Sequence, residues 1–529
     1  MIGDLSAAAN VLLVASAQVV VRDCLIATPP GVAAISRAWG GLHIAGFCHD
    51  VLVERCEIRE GLGHGITLGS VRRVPAAGGP SSTPPTTPPD NSSAVDPGGD
   101  CPGVGGGLSD FDAGDQASVR LLADLGPSDV RIYNNRIHKM GSSGISVLGF
   151  FPEEEGRVVQ QIAVSSLVIA DNVIENNYAH PSERAPDEGL RAVVAFGGIV
   201  LADVERLRIH DNKVWNNGGD HRHPVCGIYV LHGENLVIEN NDIRGNGPRV
   251  ADDGGQSGHR AGIALQQVGR RVTPGERPSS FTVEAESGLP AARVRGNVVA
   301  QPAGRALQIY GVGPMFVEGN VLVSEGLVGL SPDERRFAGH CVEIHNIGQS
   351  SELILLTSFP EFMTTFPRPA LPRPISPEWT LHDGRVLFTG NQVRFSPVAR
   401  AGLDVFSATR ILSYGDVAVL GNQFFTNLAP DDGLLLHDTV VAGWSTRVTL
   451  NRWEDPPGRI TRSGPHITTV SATTVGFMNV TSLNQATRCI HVYGLPENDD
   501  ADSPIDDDNQ VFDIEDCTAM PPLAELFGP

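Results

Sequence analysis

Two carboxylates, Glu343 and Asp404, each stand third in a short run of the form small-apolar-x-apolar: Cys341-Val342-Glu343-Ile344 and Gly402-Leu403-Asp404-Val405. If such runs stack, the two residues are neighbours about 5 Å apart between backbones, and one carboxyl then keeps its proton near neutral pH. A carboxylic acid beside an ionised carboxylate is the equipment of glycosidic-bond cleavage. His345 and His437, two places further along their own runs, add groups that move protons near neutrality. Gln308, Tyr310, Phe406, His491 and Tyr493 fill the same two places in other runs and offer hydrogen bonds and rings to a sugar face. The chemistry expected is therefore catalysis by Glu343, Asp404, His345 and His437, with substrate held by the other five. The same residue types also suit a solvated sheet that stacks rings and polar groups for stability alone.

What must position these residues is a repeat. The unit apolar-x-apolar-x-[Asp/Asn/Gly]-Asn-x-apolar occurs as Val130–Ile137, Leu167–Ile174, Leu207–Val214 and Leu236–Ile243, and continues to Val299, Leu322, Val393 and Phe424. Its asparagines are 135, 172, 212, 241, 297, 320, 391, 422, 451 and 479, with Cys24, Cys56 and Cys517 in their place at the ends. A second motif, Gly-apolar-x-apolar, follows in most units, at Gly65, Gly144, Gly198, Gly227, Gly262, Gly402 and Gly433. Alternation at period two marks strands with one buried face. Three strands in units as short as 23 residues leave no room for a crossover helix, so each strand pairs with its equivalent in the next unit.

This pattern resembles the right-handed parallel β-helix of the pectin-lyase-like superfamily over most of residues 10–493. The expected fold is all-β, a single-stranded solenoid of about 12 coils with long loop insertions, roughly 60 Å long at the usual strand spacing. Asn and Gly fit because a tight corner needs the left-handed conformation they tolerate. The resemblance further implies stacked asparagine amides at one short turn and a substrate groove on one sheet. Residues 1–70 are read as N-terminal coils, 71–127 as a Pro/Gly/Ser-rich insertion, 128–493 as the main solenoid, and 494–529 as acidic loop, last coil and cap.

Insertions cluster on both edges of the Gly-apolar-x-apolar strand, making a trough over it, and function tends to sit on such loops. Counting Gly as zero, places +2 and +4 face the trough, which sets Glu343 beside Asp404 and His345 in line with Tyr310, Phe406, His437 and Tyr493. A second register is open, in which Gly326-Leu327-Val328 replaces Cys341-Val342-Glu343 and moves Glu343 into a loop. The outward column after the Asn corner, Arg59, His138, Glu175, Trp215, Arg244 and Ala300, is mixed in sign and reads as a self-compensating exposed face.

Other features exclude more than they imply. The 529 residues carry a net charge of −22 and only two lysines, Lys139 and Lys213, which disfavours a nucleic-acid partner. No Gly-Lys dipeptide exists for a phosphate loop, and no apolar run is long enough to span a membrane as a helix. The eight cysteines form no C-x-x-C pair, against a zinc ribbon or redox dithiol, and most read as buried free thiols. Asp220, His221, His223, Asp253 and His259 offer metal-ligand types, but solvated loop histidines are commoner, and no metal is assigned. No cofactor is expected beyond weak Ca²⁺ at the acidic run Glu497–Asp508, which lacks the glycine and terminal Glu of an EF-hand loop. The trough strands carry neither an Asp cluster beside an Arg, as in the calcium-dependent lyases, nor the paired Asp-Asp of the polygalacturonases. The opening residues only loosely resemble a signal peptide, and Asn10 to Thr28 reads as strand.

Two functions remain. One is a non-catalytic rod or surface scaffold, extracellular or at the cell surface, meeting a polysaccharide or protein, the latter at an uncapped end or within a larger assembly. The other is a polysaccharide-active hydrolase or lyase working through Glu343 and Asp404. The sequence does not specify an oligomeric state.

Overall fold

The computed structural model describes residues 9–27, 40–69, 71–75, 126–147, 157–161, 164–179, 195–219, 225–247, 259–269, 290–302, 304–311, 313–325, 340–346, 385–396, 405–413, 416–427, 435–443, 446–454, and strand segments between 467 and 511. Asp220, His221, His223, Asp253, the acidic run at 497–508, Asp404 and most of the 71–127 insertion lie outside them.

One coil shows how the chain is built. Val130 and Ile132 of Ser128–Tyr133 turn inward and are fully buried, while Arg131 and Tyr133 turn outward. Asn134 then takes φ 52°, the left-handed corner, and Arg136–His138 begins with Ile137 buried behind it. Ile145–Val147 closes the coil and pairs in parallel with Ile66–Leu68 on one side and Phe196–Glu205 on the other. Every coil therefore visits three faces before the chain steps up by one strand.

Among the described residues the third face, starting at Leu25–Ala27 and Glu57–Arg59, is a sheet of 13 parallel strands, in keeping with the expected dozen or so coils. The other two faces are continuous with one another as a 25-stranded sheet. They join because long strands run round the corner. Phe196–Glu205 pairs with Val225–Glu234 along its length, and its end also meets Val164–Ala170. Val71–Pro75 and Arg157–Gln161, which follow successive first-face strands, form a separate antiparallel pair. Among the described residues there is no helix, hence none long and apolar enough to cross a membrane.

Two stacks of asparagine run inside the coils. In the first, Asn172 donates its amide to Asn212 Oδ1 (3.0 Å) and to Ile132 O (2.8 Å), while its own Oδ1 accepts from Asn135 (3.0 Å). The pattern repeats through Asn241, Asn297, Asn320, Asn391, Asn422 and Asn451. Among the described residues it runs on to Asn484, not Asn479: Asn451 donates to Asn484 Oδ1 at 3.1 Å, whereas Asn479 pairs with Thr446 inside a strand. The second stack, Asn177, Asn217 and Asn246, lies five residues further along each coil and was not anticipated. The outward column Arg59, His138, Glu175, Trp215, Arg244, Ala300 is in register as read. Flanking residues neutralise it, through Arg136–Glu175 at 2.8 Å and His138–Glu57 at 3.1 Å.

Candidate functional site

The first-face strands are set by the residue at place zero. A Cβ on Gly227 would lie 2.4 Å from Ile243 Cγ2 and 2.7 Å from Gly262 O, so this corner of the coil accepts only a very small side chain. Gly fills the column to Gly262, after which Ala306, Cys341 and Ala408 take over, as the parallel pairings on either side require. The glycine pattern stops marking the column there, and this corrects the expected register. Gly402 and Gly433 stand six and five residues before the true zero places, Ala408 and Asp438.

Glu343 stays in a strand, Val342–Asn346, which excludes the alternative built on Gly326. Its neighbour one coil below is Gln308, as expected, and Tyr310 lies abreast of His345. Its neighbour one coil above is Arg410, not Asp404. The column continues through Val440 and Thr468 to His491. Beyond His345 the next column holds Leu412, Ala442, Val470 and Tyr493, so Phe406 and His437 are not in it. His437 instead pairs with Ser407.

Around Glu343 the structure assembles a polar cluster that the alternating pattern only half revealed. Arg305 Nε lies 2.7 Å from Glu343 Oε2, Tyr310 Oη donates to the same oxygen at 2.7 Å, and Gln308 Nε2 reaches it at 3.4 Å. Gln266 extends the chain by donating to Gln308 at 3.1 Å. His345 stacks on Tyr310 with centroids 4.7 Å apart and planes 11° from parallel. Its Nε2 is 3.3 Å from Glu343 Oε1 but off hydrogen-bond geometry, so that neither ring nitrogen has a hydrogen bond. His340 is turned the other way, Nδ1 to Ser407 O at 2.6 Å. Arg305 and His340 precede place zero, where alternation gives no direction, and sequence reasoning passed over them.

These side chains face away from the solenoid core, yet they are not solvated: Glu343 is 4% exposed, and Gln308, His340, His345, Arg305 and Arg410 are also buried. Burial and charge set their proton affinities. Burial alone would raise the Glu343 pKa, but Arg305, His345, His340 and Arg410 together hold it far below the usual carboxylate range. Burial lowers His345 to about 3 and His340 to about 4, and it pushes the Tyr310 hydroxyl above its ordinary value. At neutral pH the cluster is thus a fixed carboxylate between two guanidinium groups, with neutral imidazoles and a neutral phenol. Such a carboxylate has almost no tendency to take or give a proton, while general acid–base work wants a pKa near the working pH. Among the described residues no set of three or more ligand-type side chains forms a metal site, and His259 packs against Tyr229 with centroids 5.6 Å apart.

Against known proteins, the family described as the right handed beta helix region matches residues 122–330, a stretch that includes Arg305 and Tyr310 and ends before Glu343. No curated protein and no solved structure matches the chain. With its parallel strands stacked coil on coil on three faces and that match over part of its length, the chain folds as a right-handed parallel β-helix.

Proposed function

We propose that the chain is a non-catalytic β-helix scaffold, a rigid rod that presents its surface to a polysaccharide or protein partner. The observation that carries this reading is the state of Glu343: buried, held between Arg305 and Arg410, and, among the described residues, flanked in its column by Gln308 and Arg410 rather than by the second carboxylate used in glycosidic-bond cleavage. Removing one partner of such a buried ion pair leaves an uncompensated charge and destabilises the fold. A structural role for the cluster follows from that satisfaction of charge.

A second reading, a polysaccharide-active enzyme, is favoured by His345 alone. A buried imidazole with no hydrogen bond at either nitrogen is unusual and calls for an explanation, of which a catalytic role is one. The two readings part in one experiment. The protein is incubated with neutral and acidic polysaccharides while reducing ends and unsaturated-uronate absorbance are followed, beside Glu343→Gln and His345→Ala variants. No product from any of the three supports the scaffold. Turnover by the wild type that His345→Ala abolishes replaces the scaffold with the enzyme.

A further inference from the structure

The asparagine column ends at Asn135, and the two coils before it carry Cys56 and Cys24 in the same place. β1 (Ala9–Val14), β2 (Ala17–Arg22) and β3 (Leu25–Ala27) form the first described coil, and β4 (Gly40–Ala45), β5 (His49–Glu54) and β6 (Glu57–Arg59) the second. Arg22 pairs with Glu54 and Leu25 with Glu57, so the residues between them are in step and Cys24 lies abreast of Cys56. Two contacts fix that step. Glu57 N donates to Cys24 O at 2.9 Å, and Arg55 grips both oxygens of Asp23 at 2.8 Å.

The two thiols also point the same way. Cys24 Sγ donates to Arg22 O at 3.2 Å and Cys56 Sγ to Glu54 O at 3.3 Å, each to the carbonyl two residues back. One side chain therefore stands above the other. Adjacent strands are about 4.8 Å apart, inside the roughly 4.4–6.8 Å of Cα separation that a disulfide spans. Side by side on parallel strands, the two Cβ atoms keep about the same 4.8 Å separation, slightly more than the roughly 3.5–4.5 Å of a disulfide, so closure draws the two corners together by a few tenths of an ångström. Cys24 is exposed to reagents in solution and Cys56 is buried beneath it.

We propose that Cys24 and Cys56 are a redox site that closes to a disulfide and staples the first coil to the second. Above Asn135 each coil is tied to the next by two amide hydrogen bonds; between these two coils the side-chain tie is only a long thiol contact, Cys56 Sγ to Val21 O at 3.6 Å, and the covalent bond strengthens it. The oxidant is a low-molecular-weight disulfide such as oxidised glutathione. The Cys24 thiolate attacks one of its sulfurs, the S–S bond breaks, and one glutathione thiolate leaves. Cys56 gives its proton to solvent and attacks Cys24 Sγ, forming the protein disulfide and expelling the second glutathione, which takes up a proton. Two protein thiols are oxidised and one glutathione disulfide is reduced to two thiols. Burial raises the Cys56 thiol above its ordinary value, so the closing step speeds up with pH.

The test uses the full chain, reduced, freed of reductant, exposed to oxidised glutathione, quenched in acid, alkylated in denaturant and digested with trypsin. Cleavage after Arg22, Arg37, Arg55 and Arg59 separates the three cysteines of this region into peptides 23–37, 38–55 and 56–59. Peptides 23–37 and 56–59 joined by a reducible bond, and lost in both Cys24→Ser and Cys56→Ser, are the expected result. Recovery of 23–37 alkylated, carrying glutathione alone, or joined to Cys48 in 38–55 overturns the proposal. Hydrogen exchange of the β2 and β3 amides reads the staple itself: oxidation is expected to slow it by about tenfold or more, and unchanged exchange refutes that role.

Discussion

Asp203 sits near the end of the Phe196–Glu205 strand, almost wholly buried, abreast of His232 and close to Glu205 and Glu234, which pair with each other across the strands. Burial first, and then the two glutamates, push its pKa up to about 7. The folded chain thus holds a proton that the unfolded chain has already released, and folding loses ground as pH rises from about 4 to about 7, with the deficit constant above that. Asp203→Asn is expected to match the wild type near pH 4 and exceed it at pH 8 by on the order of 1–3 kcal/mol. Urea midpoints at the two pH values decide it, and an equal offset at both would sink the argument. Leu450 is a different kind of misfit. It takes the left-handed corner, φ 59°, and exposes 61% of its surface, where equivalent coils use Gly296, Gly319, Gly390 or Gly421. Leu450→Gly should stabilise by about 0.5–1 kcal/mol, because relief of the strained corner outweighs the added freedom of the unfolded chain. A denaturation midpoint that falls instead would show that Leu450 makes a contact worth more than its strain.

At the level of the strand and corner, legibility followed how many constraints each residue meets. The first asparagine stack could be read because its place demands both a left-handed predecessor and a buried amide, a combination few residues satisfy. Asn484 was missed beside Asn479, although Asn484-Gln485 repeats the Asn391-Gln392 and Asn422-Gln423 corners. The second stack was equally visible, as an asparagine five residues after Asn172, Asn212 and Asn241, but only a search at fixed offset from the first would have found it. Gln308, Tyr310, Glu343 and His345 were correctly placed together because they share strands whose zero place is still small. Asp404, Phe406 and His437 were misplaced because the column no longer uses glycine there: for the first two the shift is six residues, which a polar-apolar alternation cannot detect, and for His437 it is five, after an unbroken Leu434-Leu435-Leu436 run that carries no alternation at all. Stack members carry more than their size suggests. Asn212→Ala would strip Asn172 Nδ2 and N of their acceptor and leave Ile169 O without its donor. Its expected cost is about 3 kcal/mol, from buried groups left unpaired, and exchange should quicken most at the amides of the coils on either side. Uniform quickening along the whole chain would contradict a local tie.

The whole molecule is a stack in which each coil touches only the coil before and the coil after, so stability sums over coils and the interfaces between them. The chain's net charge is −22, and charge on the described coils is partly compensated in place by pairs such as Arg131–Asp50 and Arg136–Glu175. All the ladder bonds of the three faces, and both amide stacks, point along the direction in which the coils pile up. That gives the rod a grain. A load drawn from end to end meets these bonds a coil at a time, so the terminal coil peels and the next one takes the strain. A load across the rod meets peptide backbone held taut within a coil, with many bonds sharing it in shear. The protein therefore resists crushing across the rod far better than stretching along it, and it should part at its ends, coil by coil, before its middle yields.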